Sequence, residues 1–288
     1  MSAIGGFIKR RPVLAHFILT FVISWGGILI VVGGPDNIPG TADQIERLML
    51  FVMLALFAGP SLSGLVMTGI VYGRAGFRDL FSRMTRWRVG ARWYAAAILA
   101  GPLLFLGVSL TLSLFSSEFL PGVVTATDKA GHVLFSISYG LIGGGLLEEL
   151  GWTGFAVPAL RRRYGAFTTA LIVGVLWGAW HFLVILYMSD LSGEVPLALM
   201  LPIQLFSWLP AFRVLMVRIY DRTGGSLLLA MLMHGCLSSG MLLFQPLAFD
   251  GTALLVYVLA LAAAAWAVVA ATEYWSAKKR GAHRENQA

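Results

Sequence analysis

Four side chains have the types and positions that acid–base chemistry needs: Glu148, Glu149, His181 and His234. All four lie in long apolar stretches. The glutamates are adjacent in LLEELGWTGFAVPALRRRYG, directly behind the nearly uncharged run GHVLFSISYGLIGGGLL. Carboxylates are costly to bury in such surroundings, so a pair of them calls for a function or for partners. At about 1.5 Å per helical residue, Glu148 stands about 20 Å from Arg161, His181 about 27 Å from Arg163, and His234 about 18 Å from Arg222. Three separate segments therefore carry an acid or a histidine to a similar depth.

A carboxylate facing an imidazole can act as a general base on water. Adjacent helical residues point about 100° apart, so Glu148 and Glu149 cannot both face one point squarely. One is expected to do chemistry and the other to orient a neighbour or bind substrate. His234 can donate a hydrogen bond to a developing oxyanion. Ser238 and Ser239, one turn further on, are nucleophiles in principle, although small hydroxyl residues more often serve helix packing. The rings of Trp152, Trp177 and Trp180 also read first as packing or interfacial anchors. Gly143, Gly144 and Gly145 would let other helices approach the acids closely.

Two other readings compete. Glu and His residues on three helices can ligate zinc. Against this, the HExxH spacing is absent and the single cysteine, Cys236, supplies no thiolate set. No cofactor is therefore expected. Intramembrane Glu and His also serve as proton relays in transporters. No inverted repeat supports that reading, though a proline-broken sixth span is compatible with it.

The elements that position these residues follow from composition. Hydrophobic residues make up 58% of the chain, charged residues 12%, and the mean hydropathy is +0.80. Soluble domains carry about 25% charged residues. The chain is expected to be one integral-membrane domain over residues 1–288, all-α, a polytopic helical bundle of about eight transmembrane helices in the lipid bilayer. The spans are expected near Val13–Val32, Leu48–Tyr72, Trp93–Phe115, Gly131–Leu160 (kinked near Pro158), Ala166–Met188, Pro196–Tyr220, Ser226–Phe244 and Thr252–Trp275. Asp190, Gly193 and Glu194 read as a turn, as does Asp250-Gly251. Residues 276–288 read as a polar tail without structure.

The segment from Arg74 to Arg92 holds six arginines, with Phe77, Leu80, Phe81, Met84 and Trp87 at helical spacing. That pattern predicts an amphipathic helix on an anionic membrane face. Of the 21 basic residues, all but Arg47 and Lys129 fall on one side of an eight-span topology. The bias predicts cytoplasmic N- and C-termini, and the polytopic pattern without a cleavable signal points to a cell inner membrane. A net charge of +7 is accounted for in this way, and no nucleic-acid partner is expected.

The segments EELGWTGFAVPALRRRYG, VLWGAWHFLV and GSLLLAMLMHGCLSS resemble the three signature regions of the CPBP family, over about Leu141–Gly240. These are intramembrane glutamic endopeptidases related to type II CAAX prenyl proteases (Ras-converting enzyme) and to bacteriocin-processing and immunity proteins. Glu148 and Glu149 match the family's Glu-Glu-x-x-x-Arg, with Thr153 where Arg is common. His181 matches Phe-x-x-x-His, with Trp177 in the aromatic place. His234 matches the last motif, with Ser238 in place of Asn or Asp. The resemblance implies a metal-independent peptidase in a helical bundle around a cytoplasmically open cavity. Its substrate would be a membrane-associated or prenylated peptide or protein. Glu148 and His181 would activate water, and His234 with Ser238 would hold the oxyanion. It also admits a non-proteolytic interaction or immunity protein of the same fold.

Overall fold

The computed structural model describes residues 3–189, 195–248 and 251–285. These form helices and turns, with no strand among the described residues. Among the described residues, eight helices are long and apolar enough to cross a membrane: α1 (Pro12–Val32), α2 (Ala42–Met84), α3 (Ala91–Ser113), α4 (Lys129–Arg161), α5 (Ala166–Tyr187), α6 (Ala198–Arg222), α7 (Leu227–Phe244) and α8 (Gly251–Trp275). Helices satisfy every backbone group internally, which is what a lipid environment demands. The starts are set by ordinary capping: Thr41 and Gln44 form a capping box on α2, Asp128 accepts from Gly131 N on α4, and Ser226 accepts from Leu229 N on α7.

The expected spans agree with these helices to within a few residues, apart from the start of α2. The arginine-rich segment is a helical stretch of its own: the chain breaks at Gly73 (φ 59°), a backbone conformation glycine tolerates, and a second helical stretch runs on to Met84. One further feature differs from expectation. The polar tail prolongs the last helix to Glu285 instead of being without structure. The turn expected at Asp190, Gly193 and Glu194 lies outside the described residues, as does Asp250.

Helix α4 carries the glutamates and is irregular around them. Residues Gly140–Glu148 and Trp152–Ala156 are π-helical, and the short α-helical turn Glu149–Gly151 separates them. The irregularity expected at Pro158 is thus a π-turn that ends just before it. Wider π-turns loosen the i→i+4 ladder, and they recur at functional sites. Side chains of α2 bond to carbonyls in this region: Ser61 donates to Leu147 O at 2.6 Å, and Arg83 donates to Gly154 O at 2.8 Å and Thr153 O at 3.3 Å.

Small residues let α7 close on this distorted helix. A Cβ added to Gly145 would lie 2.7 Å from the Met231 carbonyl oxygen, so only glycine permits the approach. On the other flank, Trp180 of α5 donates to Ser24 of α1 at 2.7 Å, and Ser24 donates to Leu56 O of α2 at 2.6 Å. Helices α4, α5, α6 and α7 thereby meet around one buried polar cluster.

Candidate active site

The π-turns aim the two glutamates in different directions. Glu148 Oε2 accepts from two indole N–H groups, Trp177 Nε1 at 2.8 Å and Trp152 Nε1 at 3.1 Å. Trp152 lies one turn beyond Glu148 on α4. Its ring stacks on Phe17 and meets Trp180 edge-on, which fixes the indole. Glu149 is fully buried and takes charged partners instead. Its Oε1 accepts from Arg213 Nη1 of α6 at 2.8 Å and lies 2.7 Å from His234 Nδ1 of α7.

Both histidines are held through Nδ1. A carboxylate only accepts, so His234 Nδ1 carries the proton toward Glu149 and Nε2 faces the other way, 3.9 Å from Glu148 Oε2. His181 Nδ1 donates to the Trp177 carbonyl at 2.8 Å. Its Nε2 is left as the basic nitrogen of the neutral ring. Trp177 therefore binds Glu148 with its indole and His181 with its backbone. Its ring also meets that of His234 edge-on at 4.9 Å.

Gly144 lets α7 side chains come close to α4. A Cβ added there would sit 3.1 Å from His234 Nε2 and closer still to Ser238 Oγ. The imidazole nitrogen and the hydroxyl thus both stand against α4 at this glycine. Ser239, by contrast, donates to Gly235 O at 2.8 Å, a back-bond within its own helix.

Residues 130–240 match the family described as type II CAAX prenyl endopeptidase Rce1-like. A CAAX prenyl protease 2 from Methanococcus maripaludis is 24% identical over 193 residues, which is 65% of this chain and 67% of that protein. Both matches are likenesses to CAAX prenyl endopeptidases. The family segment starts at α4 and ends in α7, so it contains the whole cluster just described.

Of the residues expected from the sequence, Glu148, Glu149, Trp177 and His234 meet in direct contacts. His181 joins them through Trp177, Ser238 stands against Gly144, and Thr153 is buried beside them on α4. Two groups escape the sequence reading. Arg213, grouped with the topology-setting arginines, is instead wholly buried on Glu149. The signal was available: Arg213 precedes Arg222 by nine residues, about 14 Å along a helix, close to the depth given for His234. Trp152, read as packing, is a donor to Glu148, and its spacing of four from that residue is the clue. Trp152, Trp177 and Trp180 are all buried, so none is an interfacial anchor.

Among the described residues, no group of three or more His, Cys, Asp or Glu is arranged to hold a metal ion.

Proposed function

We propose that this chain is an intramembrane endopeptidase that cleaves a membrane-associated or prenylated peptide with water activated by Glu148 and His181. The observation that carries this reading is the division of labour between the glutamates. Glu148 is held by two neutral indole donors and lies 3.9 Å from His234 Nε2, whereas Glu149 is committed to Arg213 and His234.

In the proposed step a water lies between Glu148 and His181 Nε2. Its oxygen attacks the scissile carbonyl carbon, and its proton passes to Glu148. The carbonyl becomes a tetrahedral oxyanion beside Gly144. His234, carrying a proton on both ring nitrogens in this step with Nδ1–H kept on Glu149, donates Nε2–H to it, and the Ser238 hydroxyl donates as well, a type of stabilisation in which each donor is worth about 10²–10³ in rate. Collapse breaks the C–N bond, and the departing amine takes the proton from Glu148. Glu149 and Arg213 take no proton in this sequence and keep His234 in place. The scheme uses no metal. The proposal places the arginine-rich helix ends on the cytoplasmic side of an inner membrane, with both termini there.

The test is cleavage of a farnesylated peptide ending in a CAAX sequence by the purified protein in detergent. Wild type is compared with Glu148→Gln and His181→Ala, with and without chelator. Loss in both variants and indifference to chelator support the reading. A folded Glu148→Gln protein with full activity overturns it.

A further inference from the structure

Arg213 is the one guanidinium among the described residues buried without any exposure, and it contacts Glu149 itself and a donor to Glu148. It pairs with Glu149 Oε1 at 2.8 Å, with both side chains fully enclosed. Its guanidinium carbon also lies 4.4 Å from the centroid of Trp177, the ring that donates to Glu148. An ion pair taken out of water is not a stabilising device in itself, because desolvation offsets most of the attraction. Such a pair is better explained by what it orients.

The local chain supports this. Helix α6 is broken at Ser207, between helical stretches Leu197–Phe206 and Trp208–Arg222. Gly174 of α5 gives way to the Pro210 backbone just after the break: a Cβ there would lie 2.7 Å from Pro210 Cα and 3.2 Å from Arg213 Cβ. The glycine thus brings the Arg213 turn against α5, toward Trp177. Glu149 itself has no cation on its own helix within reach. Four residues on, where a side chain lies one turn away on the same face, stands Thr153.

We propose that Arg213 is a positioning residue for the acid–base cluster, acting from α6 in the place that an arginine at position 153 would fill from α4. Its charge holds Glu149 as a carboxylate, and the carboxylate holds His234 with Nδ1 protonated and Nε2 directed at Gly144. Face-on contact with Trp177 steadies the donor to Glu148 at the same time. Moving the cation from one helix to another should therefore preserve function, which a role in mere packing would not allow.

The activity arm rests on the peptidase reading, and a spectroscopic arm does not. The chain has five histidines, so selective 15N labelling can resolve the His234 ring nitrogens. In wild type the Nδ1-protonated form should dominate. In Arg213→Met it should give way to a mixture, and Thr153→Arg in that background should restore it. With the farnesylated CAAX peptide, Arg213→Met should lose about 10²-fold in kcat, the scale of a small misplacement of a catalytic group, with KM within about threefold. The double variant should regain at least about tenfold of that loss. If Arg213→Met does not fold, Arg213→Gln is read in the same way. If neither folds, recovery of a folded, Nδ1-protonated double variant carries the proposal, and its failure to fold overturns it. A folded Arg213→Met protein with an unchanged His234 signal also overturns it. Absence of cleavage by wild type with the expected tautomer pattern would remove the peptidase reading and leave the positioning role standing.

Discussion

Trp177 donates its indole N–H to Glu148 across 2.8 Å, and its backbone carbonyl receives His181 Nδ1 at the same distance. One residue thereby sets the orientation of two groups proposed to share a water. A ring that kept its volume but lost the N–H would separate packing from orientation. Trp177→Phe should keep the protein folded and lower kcat by about tenfold or more, since hydrogen bonds to charged groups contribute about 1.5–3 kcal/mol. Trp152→Phe should act in the same direction. Circular dichroism and steady-state kinetics on the two variants check this.

The glycines of α4 should divide by what faces them. Gly144→Ala would crowd His234 Nε2 and Ser238 Oγ, where a side chain can still move aside. It should fold and lose most activity. Gly145→Ala would meet the Met231 carbonyl oxygen at 2.7 Å, on a backbone that cannot give way cheaply. It should cost about 1–3 kcal/mol of stability, as overpacking does. Thermal unfolding in detergent, measured beside activity, distinguishes the two.

Ser238 should matter through its hydroxyl. Ser238→Ala should lower kcat by about 10²-fold if the hydroxyl donates to the oxyanion. Ser238→Asn, the residue type common in the related motif, should retain activity or raise it. Equal activity of wild type and Ser238→Ala would remove the serine from the oxyanion site.

Arg83 ties the surface end of α2 to the second π-turn of α4, through the Thr153 and Gly154 carbonyls. Arg83→Met leaves both buried carbonyls without that donor, at about 1–3 kcal/mol each. Faster amide exchange over residues 152–157 than in wild type is the expected outcome.

Much of this was legible in the sequence, for physical reasons. Apolar runs long enough to span lipid have few alternatives to helix, so the eight spans emerged from composition and turns alone. Depth could be counted from arginine-rich ends, which is why Glu148, His181 and His234 read as one set. Arg213 did not, because a basic residue on the last turns of a span looks like a topology signal until its partner is known. The π-turns were also hidden: nothing in GLIGGGLLE distinguishes i→i+5 from i→i+4 bonding except glycine content. Those turns decide that Glu148 meets two indoles while Glu149 meets Arg213. The pairing of neighbouring acids with different partners therefore needed coordinates.

The most direct measurement is cleavage of the farnesylated CAAX peptide by wild type and Glu148→Gln, each shown to be folded, with and without chelator. The account predicts cleavage by wild type that chelator does not change, and a loss of at least about 10²-fold in Glu148→Gln, the scale of a general base. Undiminished cleavage by Glu148→Gln, or cleavage abolished by chelator, would contradict it.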